Sequence, residues 1–151
     1  MRYLAAIMTI TTLALVPPQA GMTADASRRG EVVLPSGLVL SVELADTPAK
    51  RERGYMFREK ISDTEGMLFM MGELALHSFW MKNCKVGLDI LWLDEDWKVV
   101  HIERAVPPCA KDPCPSYTPM QTGLYVLEMQ SGLSAKSGIK LGDRILYRPP
   151  S

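Results

Sequence analysis

The sequence predicts a mostly β (α+β) domain, a small partly closed antiparallel barrel or rolled sheet with one short helix. Short runs of strand-forming residues outnumber helical patterns, and turns of hairpin length separate these runs. The chain has 151 residues, 47% hydrophobic and 23% charged, which is typical of one soluble globular domain. Its 17 basic and 17 acidic side chains give no electrostatic reason to expect a nucleic-acid or anionic-membrane partner.

Residues 1–26 have the pattern of a signal peptide. A short basic start precedes an uncharged run, Tyr3–Val16, which Pro17-Pro18 then ends. This run is too short for a stable membrane anchor, which needs about 20 residues, although a signal anchor is the alternative. We therefore expect export to a Gram-negative-type periplasm and a mature domain over residues 27–151. Three small residues offer cleavage sites, namely Ala20, Ala24 and Ala26.

The first elements of the mature chain are a hairpin and a helix. Two strand-forming runs, Glu31–Leu34 and Leu38–Ala45, flank the turn residues Pro35-Ser36-Gly37. Thr47 then suits an N-cap with Pro48 at the first helical position, and Gly54 suits the end of the helix.

Six further strands and one helical turn are predicted after Gly54. The turn Asp94-Glu95-Asp96 separates two of the strands, and Leu133–Ser137 is the helical turn. No repeat or second domain is visible. The predicted strands are Gly66–Met71, Leu76–Lys82, Leu88–Asp94, Trp97–Arg104, Gly123–Met129 and Arg144–Tyr147.

The cysteines predict a local disulfide. Cys109 and Cys114 lie in a proline-rich loop, and an exported protein favours their pairing. No metal site is expected, because zinc would need more soft ligands than His77 and His101 offer at this spacing. Cys84 is interpreted as a buried small hydrophobic residue.

Charged residues inside apolar runs are the main functional signal. Asp89 lies in the run Leu88–Leu93, and Glu128 ends the run Leu124–Leu127. An unpaired buried charge is very costly, so each must be paired or lie at the edge of a cavity. One interpretation is a structural salt bridge of Lys82 with Asp89 or Glu128. The other is a polar cluster that lines a ligand site.

An ordered set of motifs resembles domain-of-unknown-function family 192 over about Val32 to Leu146. The motifs are Arg53–Arg58, Gly66–Phe69, Phe79–Asn83, Leu88–Ile90, Leu127-Glu128 and Gly142-Asp143. The resemblance implies a compact β-rich fold with a small helix, often exported in bacteria, and no established activity. The family pattern usually has threonine where Cys84 stands and leucine where Tyr55 stands.

We expect a non-enzymatic module that binds a small molecule or an envelope protein, without a cofactor. One alternative is a hydrolase that uses Asp89 and Glu128 as acid and base. The other is copper handling by methionine thioethers, since Met67, Met70, Met71, Met81 and His77 lie close in sequence. The candidate ligand-binding residues are Arg58, Trp80, Lys82, Asn83, Asp89, Glu128 and Asp143.

Overall fold

A computed structural model describes residues 28–150. The predicted signal peptide therefore lies outside the described residues. Nine strands and two short helices follow in the order β1 (Arg29–Val33), β2 (Val39–Ala45), α1 (Pro48–Arg53), β3 (Glu65–Ala75), β4 (Phe79–Trp80), β5 (Leu88–Leu93), β6 (Val99–Val106), β7 (Ser116–Tyr117), β8 (Gly123–Gln130), α2 (Leu133–Lys136) and β9 (Leu146–Arg148).

Seven strands form one mixed sheet, in the order β6-β5-β8-β3-β2-β1-β9. The prediction of a mostly β domain with a short helix is confirmed, but the sheet is open, with β6 and β9 at its edges, and does not close into a barrel. The strands pair antiparallel except for β2 and β3, which are parallel because the chain crosses through α1 before it returns to the sheet.

The first hairpin and α1 form where their turn and cap residues predict them. Val33 pairs with Val39 across the turn. The Thr47 hydroxyl accepts a hydrogen bond from the Lys50 amide at 3.3 Å, and Pro48 starts the helix. Gly54 ends α1 at a φ of 43°, a left-handed angle that glycine adopts without the Cβ penalty of other residues.

The prediction of a strand over Leu76–Lys82 is largely wrong. Only Phe79–Trp80 forms a strand, and it pairs with β7 in a separate two-stranded sheet. This pairing places β7, a strand that was not predicted and that directly follows the proline-rich cysteine loop, beside β4.

Both faces of the main sheet are covered by apolar side chains. Every residue of the central strand β5 is buried. Leu91, Leu93 and Leu127 belong to the core cluster on one face, and Ile90 and Trp92 belong to the cluster on the other. In the described part of the chain no helix has the length and apolar character needed to span a membrane.

Candidate functional site

Asp89 and Glu128 lie on opposite faces of the sheet. Across the β5–β8 pair, Asp89 is opposite Met129, and Glu128 is opposite Ile90. Directly opposed residues on neighbouring strands share a face, so Asp89 belongs to the Met129 face and Glu128 to the Ile90 face. The hypothesis of an acid–base pair formed by these two carboxyl groups is therefore wrong.

Asp89 is a fully buried structural residue. Its Oδ1 accepts hydrogen bonds from the amides of Ala105 and Gly132 at 2.7 and 3.0 Å. Its Oδ2 accepts from the Ser134 amide at 2.8 Å and from the Ser134 hydroxyl at 2.6 Å. Four donors satisfy the carboxylate, which joins β5 to β6 and to the start of α2.

Glu128 is buried without a comparable set of partners. Glu128 pairs directly with Met67 of β3, so the two side chains share one face of the sheet. Glu128 is only 3% exposed. Its Oε2 atom has no hydrogen-bond partner among the described residues. Burial raises the pKa of the Glu128 carboxyl from 4.5 to about 8, and the positive charge of Arg58 opposes this rise. Glu128 is therefore mainly uncharged at neutral pH.

The Glu128 side chain lines a narrow cleft, which we call the Glu128 cleft. Its walls come from the end of α1 and the following turn, from β3 and β4, and from the segment after β4. Its cavity volume is about 30 Å³, enough for about two water molecules. The lining residues are Arg51, Glu52, Arg53, Gly54, Tyr55, Met56, Phe69, Phe79, Trp80, Lys82, Cys84 and Glu128.

The buried Tyr55 and the half-buried Cys84 also line this cleft. Burial and, less strongly, the nearby Glu128 carboxylate raise the pKa of the Cys84 thiol to about 11. The same two causes raise the pKa of the Tyr55 phenol above its ordinary value, and Arg58 opposes them. Both groups stay protonated at neutral pH, so the thiol is a poor nucleophile there.

A second, wider cleft adjoins the first. This Arg58 cleft has a volume of about 390 Å³ and is lined by Glu43, Lys50, Arg53, Gly54, Met56, Phe57 and Arg58. Arg53, Gly54 and Met56 line both clefts. The Arg58 guanidinium pairs with Glu43 at 2.7 Å and lies 5.0 Å from the ring centre of Tyr55.

Two residues with left-handed backbone connect the loops around the clefts. Phe57 has a φ of 66° and Asn83 a φ of 56°. The Phe57 amide donates to the Asn83 carbonyl at 2.8 Å, and the Asn83 side-chain amide lies 3.8 Å from the Met56 sulfur. Asparagine tolerates this conformation, but a phenylalanine there costs on the order of 1 kcal/mol. The surrounding contacts must compensate for that strain.

The cysteine loop contacts Met81 and Lys82, of which Lys82 lines the Glu128 cleft. The predicted disulfide between Cys109 and Cys114 is present. The Cys109 amide donates to the Met81 carbonyl at 3.3 Å, and Lys82 Nζ lies 3.7 Å from a carboxylate oxygen of Asp112. Lys82 therefore pairs with Asp112, and the predicted salt bridge of Lys82 with Asp89 or Glu128 is wrong.

Within residues 28–150, one group of side chains has donor atoms close enough together to surround a metal ion, and it lies in this loop. This group is Cys109, Asp112 and Cys114. Both sulfurs are joined in the disulfide, so neither is available as the thiolate that a metal would bind.

The methionines of the copper hypothesis do not share one face. Met67, Met71 and Met81 pack in or against one core cluster, whereas Met70 packs against the cluster on the other face. His77 Nε2 lies 2.9 Å from the Glu73 carbonyl oxygen. This arrangement separates Met70 from the other thioethers.

Three of the seven predicted ligand-binding residues line the Glu128 cleft: Trp80, Lys82 and Glu128. Arg58 lines the adjoining cleft, and Asn83 contacts Met56, which lines both. Asp89 lies on the opposite face of the sheet. Asp143 lies in a turn before β9, where its Oδ2 accepts a hydrogen bond from the Lys140 amide at 2.8 Å.

Sequence reasoning missed Tyr55 and Cys84 as parts of the site. Tyr55 lies inside the Arg53–Arg58 motif, and Cys84 directly follows the Phe79–Asn83 motif. The signal that could have identified them as site residues is their position within or next to these motifs. The apolar character of their surroundings favoured core positions instead.

Curated relatives come from two archaea. The chain is 28% identical over 113 residues to a UPF0127 protein of Thermococcus kodakarensis, covering 72% of this chain and 65% of that protein. It is 30% identical over 111 residues to a UPF0127 protein of Thermococcus gammatolerans, covering 70% and 65%. The chain thus spans just under two thirds of the length of these relatives.

Solved structures share the fold at higher identity. A protein of unknown function from Novosphingobium aromaticivorans superposes with a TM-score of 0.70 at 34% identity, covering 78% of this chain and 83% of its own. A protein from Sinorhizobium meliloti, described as a candidate transcription regulator, gives 0.69 at 32% identity, covering 81% and 94%. The family model DUF192, Uncharacterized ACR, matches residues 31–147. The chain belongs to the DUF192 family.

Proposed function

We propose that this protein is a non-enzymatic binding module that takes one end of a small ligand into the Glu128 cleft. The observation that carries this proposal is the unpartnered Oε2 of a buried carboxyl group that lines the cleft. Buried polar atoms in folded proteins nearly always have a partner, and this oxygen, which no protein group satisfies within the described residues, is free to hydrogen-bond a molecule that enters the cleft.

The chemistry of the Glu128 cleft favours binding over catalysis. A neutral carboxyl group can donate one hydrogen bond and accept others, as the Tyr55 hydroxyl also can. The thiol of Cys84 is protonated at neutral pH, and Asp89 lies on the opposite face of the sheet, where it cannot form an acid–base pair with Glu128. The cleft therefore offers anchoring groups beside apolar walls, which is the usual composition of a small-molecule site.

A fragment screen on the mature domain tests this proposal. We expect fragments detected by ligand-observed NMR to bind the wild-type protein and to lose binding in Glu128→Met, which keeps the volume and removes the hydrogen-bonding groups. Glu95→Met, at an exposed turn residue, is the matched control and should bind like wild type. Fragments that bind Glu128→Met as well as wild type would refute the proposal.

We also propose that the mature domain works in the cell envelope after export. The uncharged run Tyr3–Val16 and the Cys109–Cys114 disulfide support this location, because disulfides persist in oxidising compartments. Fractionation of cells that express the full chain tests it. A periplasmic product shortened by 20 to 26 residues is expected, and an uncleaved cytosolic product would contradict it.

The Sinorhizobium meliloti protein is described as a candidate transcription regulator, but the charge of this chain gives no support for DNA binding. DNA binding depends on an excess of basic side chains, and this chain has 17 residues of each sign.

A further inference from the structure

More basic than acidic side chains line the two clefts, whereas the whole chain has equal numbers of both. Five cationic residues line the clefts, namely Lys50, Arg51, Arg53, Arg58 and Lys82. The acidic residues there are Glu43, Glu52 and the mainly uncharged Glu128. A locally positive surface on a chain with balanced charge attracts anions.

The cations differ in how far protein groups already satisfy them. Arg58 is paired with Glu43 at 2.7 Å, and Lys82 lies 3.7 Å from Asp112. Arg51 donates to the Met70 carbonyl at 2.9 Å. Arg53 lies where the two clefts meet, and its exposed guanidinium has no hydrogen-bond or ion-pair partner within residues 28–150.

Aromatic side chains line the Glu128 cleft together with Arg53. Phe69 and Phe79 meet edge to face with their ring centres 4.9 Å apart. Trp80 is 49% exposed at the rim of the Glu128 cleft, and Tyr55 is buried beside it. Aromatic faces and edges recognise flat rings, and guanidinium groups recognise carboxylates through paired hydrogen bonds.

We infer that the ligand of this site is an aromatic carboxylate whose ring packs against the aromatic mouth of the Glu128 cleft, with only its edge inside, and whose carboxylate binds Arg53. This inference rests on the proposed function and narrows it to one ligand class. The narrow volume near Glu128 suits the edge of one ring, and the wider Arg58 cleft holds the rest of the molecule.

Calorimetric titration with benzoate, benzamide and benzylamine tests the ligand class. These probes share a ring and differ in charge. We expect benzoate to bind at least ten-fold more tightly than benzamide, and benzylamine to bind most weakly. Arg53→Gln should weaken benzoate about ten-fold and leave benzamide unchanged. Arg148→Gln, on the edge strand β9, is the matched control and should change neither affinity.

The salt dependence of wild-type binding gives a readout that needs no variant. Benzoate affinity should fall as the salt concentration rises, whereas benzamide affinity should not. Equal affinities for benzoate and benzamide, tighter binding of benzylamine, or no effect of Arg53→Gln would overturn the ligand class. The proposed function would survive those results if fragments still required Glu128, and it would fail separately if they did not.

Discussion

Replacing Glu128 by glutamine should remove a pH dependence from the stability of the protein. Glutamine has the shape of the neutral carboxyl group but cannot ionise. In the folded protein the pKa of Glu128 is about 8, against an ordinary value of 4.5. Between these values the folded state holds a proton that the unfolded state has released, so the free energy of unfolding falls as the pH rises.

The size of this effect follows from the two pKa values. The full shift corresponds to about 5 kcal/mol at 1.36 kcal/mol per pKa unit. Between pH 5 and pH 7 the loss is about 2 to 3 kcal/mol, since the unfolded carboxyl is mostly ionised and the folded one is mostly protonated over that interval. All other ionisable groups are common to the two proteins, so their contributions cancel in the difference.

Urea denaturation at pH 5, 6 and 7 measures this difference. We expect the stability of wild type relative to Glu128→Gln to fall by about 2 to 3 kcal/mol over the interval. Glu95→Gln, at an exposed turn residue, should follow the wild-type profile in parallel. Parallel profiles for wild type and Glu128→Gln would refute the assignment of a buried neutral carboxyl.

Two further predictions concern Cys84 and Asp89. Burial and, less strongly, the Glu128 carboxylate raise the pKa of the Cys84 thiol. Removing the second cause in Glu128→Gln should speed alkylation of Cys84 by iodoacetamide above pH 8 and change it little at pH 7, as followed by mass spectrometry. Equal rates at pH 9 would contradict the coupling. Asp89→Ala leaves three backbone amide donors without their partner and should cost about 4 kcal/mol of unfolding free energy in urea. Asp143→Ala loses one amide hydrogen bond at a surface turn and should cost about 1 kcal/mol; similar losses for the two variants would contradict the structural role of Asp89.

Local patterns predicted most elements of the fold. The Pro35-Ser36-Gly37 turn and the Thr47-Pro48 start of α1 depend on the conformational preferences of a few neighbouring residues, so they can be read from the sequence. The parallel β2–β3 pair depends on how the chain crosses between distant segments, and no local pattern encodes that path. The same reason explains why the pairing of β4 with β7 was missed.

The candidate site was predictable in its residues but not in its geometry. A carboxyl group at the end of an apolar run marked Glu128 as unusual, and the same logic marked Asp89. Which face each carboxyl occupies depends on the register of β5 against β8, since a shift by one residue moves a side chain to the other face. The sequence alone therefore could not separate the carboxyl in the cleft from the structural one.

The protonation state of Glu128 is most directly measured by NMR of the mature domain with 13C-labelled glutamate carboxyl groups. The Glu128 resonance is assigned by its absence from Glu128→Gln and is followed from pH 4 to pH 10. Its chemical shift should change with a midpoint near pH 8. A midpoint near the ordinary value of 4.5 would show a charged carboxylate at neutral pH and would contradict the neutral anchor on which the proposed site depends.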